Sequence, residues 1–186
     1  MQLLLISGSR NPTGQTARAA EAVLAGYAAA GGEVARLFLP ELAIERCRQC
    51  DERGWGVCRS EGRCVIADDL ERVVDAIRAA DAVLFANPVY YGDLSESMRA
   101  LTDRLRRTAT HLADPTGIKN KIAVGLCVAG GGGGGAPACC VSLERVLRIT
   151  GFDVVDMIPV RRQNLGAKLA QLELVGRWLA TSPASD

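Results

Sequence analysis

Four cysteines stand close together in this chain: Cys47, Cys50, Cys58 and Cys64, separated by two, seven and five residues. Thiolates so spaced can share a metal ion or an iron-sulfur cluster, and the Cys47/Cys50 pair has the tight bite common to both. They can equally form a redox pair or stay unligated. A second group is rich in hydroxyls and glycine: Ser7, Gly8, Ser9, Arg10, Asn11, Pro12, Thr13, Gly14, Gln15 and Thr16. It runs from a short apolar stretch into an alanine-rich one, so it reads as a strand-to-helix loop. Backbone N–H groups, hydroxyls and the positive helix end make such a loop an anion cradle, with phosphate the natural guest. Gly8 and Gly14 enclose five residues and Gln15 stands where a nucleotide P-loop has lysine, so this is no Walker loop. No G-x-G-x-x-G set occurs in it, which leaves a mononucleotide phosphate as the better fit. A polar turn with capping residues only is the bland alternative.

Two further loops carry unusual residues. Asn87-Pro88-Val89-Tyr90-Tyr91-Gly92-Asp93 places two of the chain's eight aromatic residues side by side, which suggests a flat ring to stack on or, alternatively, a tyrosine pair packed at an interface. Ala129 is followed by six glycines, Gly130 to Gly135, a segment that lets backbone approach a ligand closely. His111 is the single histidine, so neither a multi-histidine metal site nor a Ser-His catalytic group is expected. Cys127, Cys139 and Cys140 read as packing residues, and Arg161-Arg162 as a solvated loop edge.

The elements that must position these loops alternate between short buried runs and longer amphipathic ones. Strands are expected at Leu3–Ile6, Val34–Leu39, Ala82–Ala86, Ile122–Val128 and Val154–Val160, the last interrupted by Pro159. Helices are expected at Thr13–Ala30, from Asp68 or Asp69 to Ala80, from a Ser95 or Ser97 cap to Thr108, at Ala138–Ile149 and at Ala167–Ala180. The helix after Ser95 shows Leu94, Met98, Leu101 and Leu105 on one face and Arg99, Arg104, Arg106 and Arg107 on the other. Asp114 to Gly117 reads as a turn and Thr181 to Asp186 as a frayed tail. Five alternating strand and helix units make a doubly wound α/β three-layer sandwich with a five-stranded parallel sheet. Residues 1–186 read as one domain, with the 41–64 cysteine loop too long for a mere connection.

With 22 Lys+Arg against 21 Asp+Glu, no basic block supports nucleic acid or an anionic membrane as partner. Ile122 to Leu143 is uncharged, but its glycine run excludes a spanning helix. The apolar start lacks a basic flank and reads as a strand, so with seven cysteines the expected address is the reducing cytoplasm.

Taken together, the Gly8-Ser9-Arg10 loop, the Asn87 to Gly92 segment and the glycine run resemble the flavodoxin-like NAD(P)H-dependent FMN reductases, in particular the branch containing the iron-sulfur flavoproteins. That resemblance implies a flavodoxin-like strand order of 2-1-3-4-5. It implies FMN with its phosphate held by the first loop (Ser7, Ser9, Arg10, Asn11, Thr13, Gly14, Gln15, Thr16). Its ring would lie along Pro88, Val89, Tyr90, Tyr91, Gly92 and Asp93, and would be closed over by Ala129, Gly130, Gly131, Gly132 and Gly133. It also implies NAD(P)H as co-substrate, a quinone, flavin or other small acceptor, and a homodimer or homotetramer. Cluster-bearing relatives usually have two residues between the second and third cysteines, where this chain has seven. A [4Fe–4S] cluster at Cys47, Cys50, Cys58 and Cys64 is therefore expected alongside zinc, a redox pair or unligated thiols. An electron carrier or redox-sensing module that does not oxidise NAD(P)H is the alternative function; the near-neutral charge favours the enzyme.

Overall fold

A computed structural model describes residues 1–111 and 117–181. The turn expected at Asp114 to Gly117 and the tail expected at Thr181 to Asp186 lie almost wholly outside them.

Five parallel strands form one sheet: β1 (Gln2–Ser7), β2 (Glu33–Phe38), β3 (Ala82–Pro88), β4 (Ile122–Ala129) and β5 (Asp153–Arg161), in the order β2-β1-β3-β4-β5. β3 and β4 are buried along their whole length, as strands covered on both faces must be, and this is why they read as unbroken apolar runs. Alternation along β1 divides the core. Leu3 and Leu5 face α1 (Gln15–Ala29) and α6 (Leu165–Thr181), while Leu4 and Ile6 face α3 (Leu70–Ala79), α4 (Glu96–Ala109) and α5 (Ala136–Thr150). The result is the flavodoxin-like three-layer sandwich. Among the described residues no helix is long and apolar enough to cross a membrane.

Three local expectations are corrected. Pro159 does not interrupt β5: it pairs with Cys127 on a strand that has a neighbour on one side only, where a missing N–H is tolerated. α5 begins two residues earlier than expected because Pro137 lies in its first turn, where no intrahelical donor is needed. Arg104 leaves the polar face of α4 and is buried beneath the cysteine segment. That segment is not wholly irregular, since Cys58–Glu61 form a single helical turn, α2.

α1 and α6 cross backbone to backbone at Gly26 and Gly176. A Cβ on Gly176 would stand 2.0 Å from the Val23 carbonyl oxygen, and one on Gly26 2.0 Å from that of Glu173. Gly176→Ala is expected to lower stability by about 1–3 kcal/mol despite alanine's better helix propensity. Urea unfolding measures it, and an unchanged midpoint would contradict the close crossing.

Candidate functional site

The loops that leave the carboxyl ends of β1, β3 and β4 enclose a cleft of about 600 Å³, at the edge where open parallel sheets hold ligands. One end is polar. The loop after β1 is shaped by its own side chains: Asn11 Oδ1 accepts from the Thr13 N–H (3.0 Å) and hydroxyl (3.1 Å), and Ser9 Oγ accepts from the Asn11 N–H (3.3 Å). These bonds turn the chain into α1, whose N-terminus has neither a side-chain cap nor an acidic residue in its first turn. Its N–H groups are left to an outside anion. The side-chain amide of Gln15 has its buried oxygen without a partner. The two ends of an amide are assigned by their surroundings, and with this amide turned over its N–H would donate to an anion in the cleft.

The other end is flat and glycine-walled. Val89 N–H donates to the Val128 carbonyl at 3.0 Å, which stitches the β3 loop to β4. Tyr90 and Asp93 then exchange backbone hydrogen bonds of 3.1 and 2.9 Å around Tyr91 (φ 51°) and Gly92 (φ 81°), the two positive φ values that a type I′ turn needs. Asn87 locks the base of this loop. Its Oδ1 accepts from the Ser95 N–H and hydroxyl at 3.0 and 3.1 Å, and its Nδ2 donates to the Pro88 carbonyl and to Cys139 Sγ. Ser95 in turn caps α4.

Of the residues expected here, Ser9, Asn11, Thr13, Gly14, Gln15 and Thr16 line the polar end; Pro88, Val89, Tyr90 and Ala129 to Gly133 line the flat one. Ser7 lies buried beneath the loop, its hydroxyl accepting from the Ser9 N–H at 3.3 Å. Arg10, Tyr91, Gly92 and Asp93 are outside the lining, Tyr91 fully exposed at the tip of its turn. Sequence reasoning missed Arg18, Val128 and Gly134, which also line the cleft. Arg18 was within reach of it: a cation one helical turn beyond Gly14 sits near whatever α1 holds. It also missed Gln163, whose Nε2 donates to the Gly132 carbonyl at 3.1 Å and latches the glycine run.

The cysteines Cys47, Cys50, Cys58 and Cys64 line a second, apolar cavity with Trp55 and two arginines of α4, Arg104 and Arg107. Its start is pinned by the residues before α3: Asp69 accepts from the Ala43 N–H at 2.7 Å and Asp68 from the Glu45 N–H at 2.8 Å. Trp55 carries Arg107 over its ring at 4.8 Å and the exposed His111 edge-on at 4.6 Å. Among the described residues no three Cys, His, Asp or Glu side chains are arranged to share one metal ion. A four-iron cluster asks less convergence, because each thiolate binds a different iron. The cavity that the four thiols line is about 20 Å³, so a four-iron cluster would enter only with the irregular segment bearing the exposed Cys50 displaced outward.

The remaining thiols do what was expected of them: Cys127, Cys139 and Cys140 are buried between β4 and α5. A hydrogen bond with Cys139, then Cys140 and burial, push the Cys127 thiol up and keep it protonated.

A doubly wound sheet of this order, with an anion cradle and a flat slot at its carboxyl edge, defines a flavodoxin-like protein. The solved NAD(P)H:quinone oxidoreductase from Methanothermobacter marburgensis superimposes with a TM-score of 0.72 at 19% identity, covering 100% of this chain and 99% of that one. The chain belongs to the NADPH-dependent FMN reductase family, whose model matches residues 1–169. Its relatives include an iron-sulfur flavoprotein of Methanosarcina thermophila, 32% identical over 128 residues (67% of this chain, 61% of the relative), and one of Methanocaldococcus jannaschii, 31% identical over 127 residues (67% and 62%). The matches thus span less than two thirds of either relative's length.

Proposed function

We propose that this chain is a single FMN-binding domain that takes electrons from NAD(P)H and passes them to a quinone, flavin or other small acceptor. The observation that carries the reading is the cleft itself, with an open helix N-terminus at one end and an apolar, glycine-walled slot at the other. When bound, FMN supplies hydride acceptance and electron release. The protein's part is placement. Ser9, Thr13, Gln15, Thr16 and the α1 N–H groups would hold the phosphate, with Arg18 adding a positive charge. Pro88 to Tyr90 and the glycine run would flank the ring and exclude water. Because the flavin itself would carry the hydride step, no side-chain acid or base is asked to move a proton.

We further propose that Cys47, Cys50, Cys58 and Cys64 hold a [4Fe–4S] cluster, through which electrons leave singly. The donor set fits: four thiols border one apolar cavity together with two buried arginine N–H groups that have no partner. Names borne by the relatives point the same way. A homodimer or homotetramer is supported by Tyr91 standing fully exposed at the cleft mouth and by Leu174 and Trp178 exposed on α6.

The test is the absorption spectrum of protein purified without oxygen, with iron and zinc counted, before and after NADPH. Flavin bands bleached by NADPH, over a brown shoulder with about four irons per chain, are the expected result. Flavin bands that only a partner reductase bleaches would instead mark a carrier, and failure to bind flavin after reconstitution would end the reading. Gln15→Leu is expected to weaken FMN about tenfold or more, the worth of a hydrogen bond to a charged group, while leaving riboflavin, which has no phosphate, nearly unaffected. Quenching of flavin fluorescence measures both, and equal losses for the two ligands would remove Gln15 from the phosphate.

A further inference from the structure

The arginines beside the thiols carry a feature that the flavin cleft does not explain. The Arg104 side chain is 1% exposed, and its terminal nitrogens are fully engaged. Nη1 donates to Asp68 and to the Glu45 carbonyl (3.2 Å); Nη2 donates to Asp68 Oδ1 (3.0 Å) and the Ile66 carbonyl (3.4 Å). Its Nε is buried and has no partner. Arg107 repeats the pattern three residues later on the same helix face. One terminal nitrogen donates to the Gly54 carbonyl at 2.6 Å, and Nε is again buried without a partner.

Both side chains line the cavity of the four cysteines. Two orphaned buried donors on side chains that line one apolar cavity are costly unless something accepts from them. Neutral thiols are weak acceptors. The sulfurs of an anionic four-thiolate cluster would be far better acceptors, and hydrogen bonds to them are among the levers on cluster potential.

We propose that Arg104 and Arg107 donate their Nε–H groups to sulfur atoms of the cluster held by Cys47, Cys50, Cys58 and Cys64, and that they thereby raise its reduction potential. This rests on the cluster reading above. Reduction adds one electron and makes no bond, so the reduced cluster carries one more negative charge and gains more from the donors than the oxidised one does. The two arginines divide the work. Asp68 offsets the charge of Arg104, whereas the ion pairs of α4 involve Arg99, Arg104 and Arg106 but not Arg107. With no ion-pair partner among the described residues, Arg107 brings a positive charge as well as a donor.

The experiment is a dye-mediated redox titration of the reconstituted, iron-loaded protein, followed by electron paramagnetic resonance, for the wild type, Arg107→Gln and Arg107→Lys. At unchanged iron content, Arg107→Gln is expected to shift the equilibrium at least tenfold toward the oxidised cluster, about 59 mV for one electron. Arg107→Lys keeps the charge but displaces the donor, and is expected to fall between. Should the glutamine variant not retain iron, the lysine variant carries the measurement, with a shift of at least threefold expected. An unmoved potential in iron-loaded variants overturns the inference alone and leaves a lone water as the partner, for which the cavity has room. A wild type that takes up zinc or no iron overturns the cluster reading and this inference with it.

Discussion

Asp68→Asn is expected to cost about 3–5 kcal/mol of folding stability at pH 7 and to release the cysteine segment. The Asp68 and Arg104 side chains are only 5% and 1% exposed, so each is compensated almost entirely by the other. Asp68 accepts both terminal nitrogens of Arg104, the Glu45 N–H at 2.8 Å and the Leu70 N–H at 3.2 Å. Asparagine keeps the shape but strands the guanidinium, and it is the stranded charge that makes breaking a buried pair so expensive. Burial alone would raise the Asp68 pKa; Arg104 and the two N–H groups outweigh it and hold the carboxyl below the usual aspartate range.

The pH dependence follows from that direction. A carboxyl depressed by folding contributes its full stability above the unfolded aspartate value of about 3.9, and loses it as pH falls through the lower folded value. The gap between wild type and Asp68→Asn should therefore be widest near neutrality and shrink below about pH 4. Urea unfolding at neutral and acid pH reads both quantities, and iron content after reconstitution reads the segment. A variant within 1 kcal/mol of wild type at pH 7, or a gap that widens in acid, would show that the pair does not hold this region.

This pair also shows where the sequence stopped being legible. Both central strands were visible as apolar runs because burial on two faces leaves no room for alternation, and Ser95 was visible as a cap because its hydroxyl serves a donor only three residues away, at Met98. Arg104 was not, for helical periodicity places it among Arg99, Arg106 and Arg107, and the partner that draws it inward lies 36 residues back. A charge buried by long-range pairing leaves no local pattern. The cleft divides in the same way. Its hydroxyls and glycines announce themselves by type, whereas the outward turn of Tyr91 depends on a positive φ that tyrosine rarely adopts and that its type gives no reason to expect. Gln163 joins the glycine run from 31 residues away and is equally silent. What composition and spacing convey is the inventory of each loop; which member faces the cleft is decided by tertiary contacts.

The close approach of two loops has the second large consequence. Gly135 ends the glycine run at φ 82°, and a Cβ there would stand 2.6 Å from the Gly92 Cα and 3.2 Å from the Gly92 nitrogen. These are backbone atoms of the turn that carries Tyr90, which lines the flat end of the cleft. Gly135→Ala therefore meets two penalties, about 1–2 kcal/mol for the left-handed backbone and about 1–3 kcal/mol for the overlap. In the apoprotein a small displacement of the turn at 90–93 away from residue 135 is expected to relieve the overlap. FMN needs both walls in place, so binding must restore the strained arrangement and the overlap penalty falls on affinity. At about 2 kcal/mol this weakens FMN roughly 30-fold, whereas the backbone penalty, present with or without ligand, falls on the stability of the apoprotein. Fluorescence titration of FMN and riboflavin, with thermal unfolding of the apoprotein alongside, separates the two. Riboflavin should weaken as much as FMN, because the lesion is at the ring end of the cleft, in contrast to Gln15→Leu at the phosphate end. A Gly135→Ala protein that binds FMN within threefold of wild type would mean that the turn after β3 does not wall the flavin.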